Sequence, residues 1–218
     1  MTKKLHYVFA AALLAGCAGT VNMPLSTSQA DQITGRSLVL VTHEKPSFTA
    51  GTAGKGMFAA IGAMAMISEG NEIISTNDVQ DPSVHIAEGV AQSLASRYSL
   101  TSDPAINLSD TDDIDELIDQ YSEGDLILFT QTRGWHFMYF PTDWDNYQVR
   151  LNMTLKLIDT HRKSVLAGAN CVYSPEYADS DQAPTHDYLL SDNATGLKAE
   201  LKKAADYCVG KFLSETFA

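Results

Sequence analysis

The side chains able to do chemistry in this chain are few and scattered. Of six histidines, the five beyond the N-terminal segment are His43, His85, His136, His161 and His186. None belongs to an HxH, HExxH or Cys/His grouping of the kind that holds zinc, so no metal site is expected. Gly54-Lys55 invites comparison with a phosphate-binding loop. Such a loop needs Gly five positions before its second Gly and Ser or Thr after the Lys, and here Thr49 and Gly56 stand in those places. No GxSxG elbow is present for a serine hydrolase. Asp110 to Asp119 lack the alternation and the glycine of a calcium loop and read as a solvated helix start. With 27 acidic residues, a carboxylate pair for glycan hydrolysis stays open, because that pairing is spatial. The expectation is a protein without cofactor and without a catalytic constellation.

The densest group with recognition chemistry is aromatic. Trp135, Phe137, Tyr139, Phe140, Trp144 and Tyr147 fall within thirteen positions, interleaved with Arg133, His136 and Asp143. Trp, Tyr and Arg anchor protein interfaces, and flat rings stack on sugars. Trp135, Tyr139, Trp144 and Tyr147 are therefore the candidate partner-binding residues, against the alternative that most of these rings fill the core. Asp143 to Asn146 read as a turn, which leaves Trp144 exposed. The Met/Ala stretch from Met57 to Met66 is a second candidate surface, since flexible Met side chains suit a partner helix. The competing reading is again core.

The N-terminus supplies an address. Lys3 and Lys4 precede the apolar run Val8 to Leu14, which is too short to span a bilayer. Leu14-Ala15-Gly16-Cys17 resembles the lipobox of bacterial lipoproteins. The resemblance implies cleavage after residue 16 and acylation of Cys17, and Ala18, not being Asp, implies the outer membrane. One acyl chain binds a membrane marginally, whereas several hold firmly. Residues 17–35, rich in Ser, Thr, Gln and Gly, read as a flexible tether, with one domain over residues 36–218. Loss of Lys3 and Lys4 leaves 13 basic against 27 acidic side chains, near −14. That balance argues against nucleic acid or an anionic membrane surface as partner.

The elements must position these groups. In Tyr147 to Leu157, Tyr147, Val149, Leu151, Met153, Leu155 and Leu157 alternate with polar residues, which predicts a half-buried strand. A turn at Asp159 to Lys163 leads to a second strand with Val165, Ala167, Ala169, Cys171 and Tyr173 on one face. Leu190, Ala194, Leu197, Leu201, Ala204, Cys208 and Phe212 then form one helical stripe. Cys171 and Cys208 thus both face inward, and an oxidising compartment favours a disulfide between them over two buried thiols. Without CxxC spacing, the bond reads as structural. Upstream, Ser37 to Thr42 is a buried strand, Met57 to Ile67 a short helix ending near Gly70, and Asp81-Pro82 a helix start. Ala105 to Leu108 is a brief strand, Ser109 or Asp110 caps a small acidic helix through Tyr121, and Leu126 to Phe129 is a central strand. The order argues an α/β fold of the two-layer α+β sandwich type, helices packed on a mixed β-sheet, with a C-terminal hairpin followed by a long helix.

The lipobox, this order and the segment Gly124 to Ser174 resemble a family of proteobacterial outer-membrane lipoproteins. The residues that carry the likeness are Trp135-His136-Phe137-Met138-Tyr139-Phe140-Pro141-Thr142-Asp143-Trp144, Tyr147 and Leu157-Ile158-Asp159-Thr160. More distantly, the layout resembles the anticodon-binding-like domains of the TolB N-terminal region and of envelope export lipoproteins. These resemblances imply a lipid-anchored, non-enzymatic accessory or assembly factor facing the periplasm and binding another envelope protein or a glycan. Alternatives are a peptidoglycan or exopolysaccharide binding protein or hydrolase, and a ring-forming export component.

Overall fold

A computed structural model describes residues 22–56 and 59–218; the leader and Cys17 lie outside the described residues. The chain runs α1 (Thr27–Ile33), β1 (Ser37–His43), β2 (Thr49–Gly51), α2 (Ala53–Gly56), α3 (Ala59–Thr76), α4 (Pro82–Tyr98) and β3 (Thr101–Ser109). It continues through α5 (Ile114–Gln120), β4 (Leu126–Phe140), β5 (Asp143–Asp159), β6 (Ser164–Tyr173) and α6 (His186–Glu215). The strands form one mixed sheet in the order β3-β1-β4-β5-β6, with β2 added beside the upper part of β4. β1 is parallel to β3 and β4, while β4, β5 and β6 form an antiparallel meander.

The odd-numbered residues Tyr147 to Leu157 of β5 point to the main core, where α4 and α6 pack on the sheet. α5 covers the lower part of the opposite face, with Leu117 and Ile118 on Val41, Ile127, Phe129 and Ile158. This is the helices-on-mixed-sheet architecture expected, with β3 as the edge. Asp103-Pro104 falls where the β1–β3 register slips, the place an edge strand tolerates a proline.

The predicted helix start at Asp81-Pro82 is present, with the Asp81 carboxylate accepting from Ser83 N at 3.0 Å. The small acidic helix starts later than expected: Asp113 is its N-cap and accepts from Asp115 N and Glu116 N.

The tether expected through residue 35 does not extend that far. Ser26 and Gln29 close a reciprocal capping box, α1 follows, and Ile33 is fully buried. Met23 pairs with Gly168 on the β6 edge, with N–O distances of 2.7 and 2.9 Å, and Leu25 N donates to Thr216 O. The folded unit therefore begins by Asn22.

Helix α3 also runs past Gly70 to Thr76. Gly70 does not end it; a Cβ there would lie 2.1 Å from Phe48 O and 3.0 Å from Ala50 N. The glycine is a contact point at which helix and β2 backbone meet. Gly70→Ala is expected to cost about 1–3 kcal/mol through overpacking, read as a lowered midpoint in urea unfolding.

The two cysteines are bonded. Cys171 on β6 and Cys208 on α6 are both fully buried, with Cα atoms 5.7 Å apart. α6 is two helical pieces joined at a kink, where Asp192, Asn193 and Ala194 take left-handed backbone angles.

Candidate binding surface

The aromatic segment occupies the upper half of β4 and the start of β5. A bulge at Arg133 separates the pair Thr132↔Met153 from Gly134↔Asn152. One extra residue reverses which face each later side chain joins. Below the bulge, Leu126 and Leu128 face the main core; above it, Trp135 and Phe137 do.

Trp135 is 2% exposed; its ring meets Phe48 edge-on at 5.1 Å, and its Nε1 donates to Pro46 O at 2.9 Å. Phe137 packs edge-on against Tyr147 at 5.5 Å, and His186 closes the same cluster. Tyr147 is 5% exposed. Trp135 and Tyr147 therefore leave the list of surface candidates: the bulge turns Trp135 inward, and the unbroken alternation of β5 keeps Tyr147 on the core face. Tyr139, opposite Tyr147, is half-buried and packs against the same core.

Trp144 differs, being 61% exposed. The hairpin turn is Pro141-Thr142 rather than Asp143–Asn146, and Trp144 lies in the first residues of β5. Asp143 holds this end in shape by accepting from Ser180 Oγ at 2.7 Å and Asn146 Nδ2 at 2.8 Å. Those bonds, Ser180 first, keep its carboxyl below the ordinary range.

The second candidate surface projects at the same end of the sheet. β2 pairs Gly51 with Met138, just below the hairpin turn. Gly70 and Asn71 of α3 sit on the Ser47–Ala50 segment. Ile61, nine residues earlier, stands about 13 Å further along the helix. Ile61, Met64 and Ile67 are 79%, 75% and 40% exposed, whereas Met66 is buried; Met57 lies outside the described residues. Trp144 and the outer side of α3 thus give one end of the molecule its large uncovered apolar side chains. Spacing alone does not reveal this, because Ile61, Met64 and Ile67 share a stripe that a core helix would also show.

The opening at the carboxyl ends of the parallel strands is where open α/β sheets bind ligands. Cavities of about 320 and 470 Å³ adjoin there, both lined by Asp78, Val79, Gln80 and Asp81. Three of the lining groups, Asp81, His85 and Lys202, are engaged within the protein. Asp81 accepts from Ser83 N and Thr132 Oγ1. His85 bonds Asp206 at 2.7 Å, and Lys202 holds the same carboxylate at 2.6 Å. The Ser83 hydroxyl is without a partner but fully buried, out of reach of a substrate. His136 is half-buried on the other face of β4; burial, then the charge of Arg150, lowers its pKa. No group of three or more potential metal ligands occurs among the described residues. No helix among them is long and apolar enough to cross a membrane.

No protein-family model and no curated protein sequence matches the chain. Several solved structures resemble it loosely. The PelC dodecamer from Paraburkholderia phytofirmans is 12% identical, with 83% of this chain and 87% of that one covered, at a TM-score of 0.37. A Xanthomonas campestris protein of the DUF330 family is 10% identical over 90% of this chain and 93% of its own, at 0.39. The LpoB C-terminal domain from Salmonella enterica is 14% identical over 67% and 89%, at 0.25.

Proposed function

We propose that this chain is a lipid-anchored lipoprotein of the outer membrane, acylated at Cys17, that binds another envelope component and performs no catalysis. The observation that carries the reading is the exposure of Trp144 beside the β4–β5 turn and of Ile61, Met64 and Ile67 on α3. Core packing does not require these side chains to be exposed, and uncovered apolar groups of this size mark interaction surfaces. The lipobox-like Leu14 to Cys17 supplies the anchor, and kinship with the TolB-type domains rests on element order alone.

A photoactivatable residue at position 144 is expected to crosslink one envelope protein in cells, while the same group at Glu88, exposed on α4, does not. Trp144→Ala should remove the interaction yet shift stability by no more than about 0.5 kcal/mol, as for an ordinary surface position. Equal crosslinking from both positions overturns the reading. Crosslinks to peptidoglycan in place of protein would move the assignment to a glycan-binding role.

A further inference from the structure

The net negative charge hides a sharp segregation. β4 and β6 carry no Asp or Glu, and neither does β5 between residues 147 and 157. Above α5, no helix among the described residues covers the outer face of these three strands. Arg133, His136, Arg150 and Lys156 stand on it among Gln148, Asn152 and Thr154. Asp112, from the loop before α5, reaches its margin, where its carboxylate takes Arg133 at 3.1 Å and its carbonyl takes Lys156 at 3.3 Å. The guanidinium of Arg150 donates to Gln148 rather than to a carboxylate. In a protein rich in acid, the part of this sheet face above α5 is cationic.

The N-terminal segment joins the sheet beside that face. Met23 shares a register position with Gly168, and Asn22 Oδ1 accepts from Asn170 N at 3.2 Å. Met23 and Val172 are 37% and 60% exposed on the outer side. Cys17 precedes Asn22 by five residues, which span at most about 18 Å when fully extended. An acyl group on Cys17 therefore enters its bilayer close to this edge, whatever path the intervening residues take.

We infer that the face of β4, β5 and β6 above α5 lies against the bilayer, with Arg133, Arg150 and Lys156 on lipid phosphates and Met23 and Val172 in the headgroup layer. The inference rests on the anchor reading and adds an orientation to it. The acidic α5 occupies the lower part of the same face, so the contact is confined to the strands above it, and the apolar end stays free for a partner. Whole-chain charge argues against an anionic membrane surface; the distribution of that charge reverses the argument locally, since each Lys or Arg near such a surface strengthens contact about five-fold.

The test uses the full acylated chain in vesicles of phosphatidylethanolamine and phosphatidylglycerol, with acylation confirmed by mass. A fluorophore on Asn152→Cys should be quenched by headgroup-borne nitroxide lipid, and one on Glu88→Cys on α4 should not. Arg150→Gln and Lys156→Gln should each shift the face-on population about five-fold, and uncharged phosphatidylcholine vesicles should weaken the quenching at position 152. Equal quenching at both positions, or stronger quenching at 88, overturns the orientation while leaving the anchor intact. A chain that accepts no acyl group overturns both. An acidic polysaccharide that shields position 152 better than vesicles do would overturn the lipid assignment.

Discussion

Replacing Asp159 by Asn is expected to destabilise the protein by about 3–5 kcal/mol, the cost of leaving a buried charge without its partner. The Asp159 side chain is 2% exposed, and it faces Arg36, whose side chain is 18% exposed. Arg36 reaches both carboxylate oxygens, at 2.8 and 3.1 Å, and also donates to the Asp125 carbonyl at 2.8 Å. The same carboxylate caps the β5–β6 turn by accepting from His161 N and Arg162 N, each at 3.0 Å. One side chain thus ties the entry to β1, the start of β4 and the last hairpin. Burial by itself would raise the Asp159 carboxyl; the Arg36 and backbone hydrogen bonds more than reverse this and hold it below the ordinary range. Asp125 is held low as well, by the Ser37 amide and hydroxyl. Both groups have folded values below their unfolded ones. Their stabilisation is present above the unfolded value, about pH 4, and is lost as pH falls through the folded values. Urea titrations at neutral pH and near pH 3 check this. The wild type should lose stability on acidification, and Asp159→Asn should lose less, because one of the linked carboxyls is gone. A variant within 1 kcal/mol of wild type at neutral pH would refute the role given to Asp159.

Breaking the Cys171–Cys208 bond should cost about 4 kcal/mol in the chain-entropy account, in which the cross-link restricts the unfolded chain. The sequence separation is 37 residues, and the bond joins β6 to the middle of α6. Cys171→Ala, Cys208→Ala and the double variant should be destabilised to a similar degree, since each loses the same link. Reduction of the wild-type protein should give the same loss without removing any side-chain volume. A reduced protein as stable as the oxidised one would show that packing alone holds β6 to α6.

Both cysteines were legible because each sits in an unambiguous pattern: Cys171 in a period of two, Cys208 in a helical stripe. Asp81-Pro82 announced α4 equally well, since its capping chemistry is local. The hidden parts depend on contacts between distant segments. Nothing in Thr49-Ala50-Gly51 marks a strand; it becomes one because β4 extends ten residues beyond the end of its pairing with β1. The turning inward of Trp135 follows from a single unpaired residue at Arg133, and the adjacent Gly134 was the available hint, since glycine inside a strand often accompanies a bulge. The S-x-x-Q signature at Ser26 to Gln29, just before Ile33, was a readable helix start within a stretch whose overall composition suggested a tether. The exposed end was legible in Trp144 and in the Met57 to Met66 stretch, but which members of that stretch are uncovered depends on how α3 packs: Ile61 and Met64 are exposed and Met66 is buried.

The seam between Met23 and Gly168 also fixes how the domain would bear tension. A pull on the lipid proposed at Cys17 would be borne, among the described residues, first by the two hydrogen bonds between Met23 and Gly168 on an outer strand and then by that from Leu25 to Thr216. Strand and terminal helix cannot part behind that seam, because a covalent rung joins them. A molecule stretched from that side should therefore release the segment from Met23 through α1 as a short, re-dockable strap while the rest of the body stays shut.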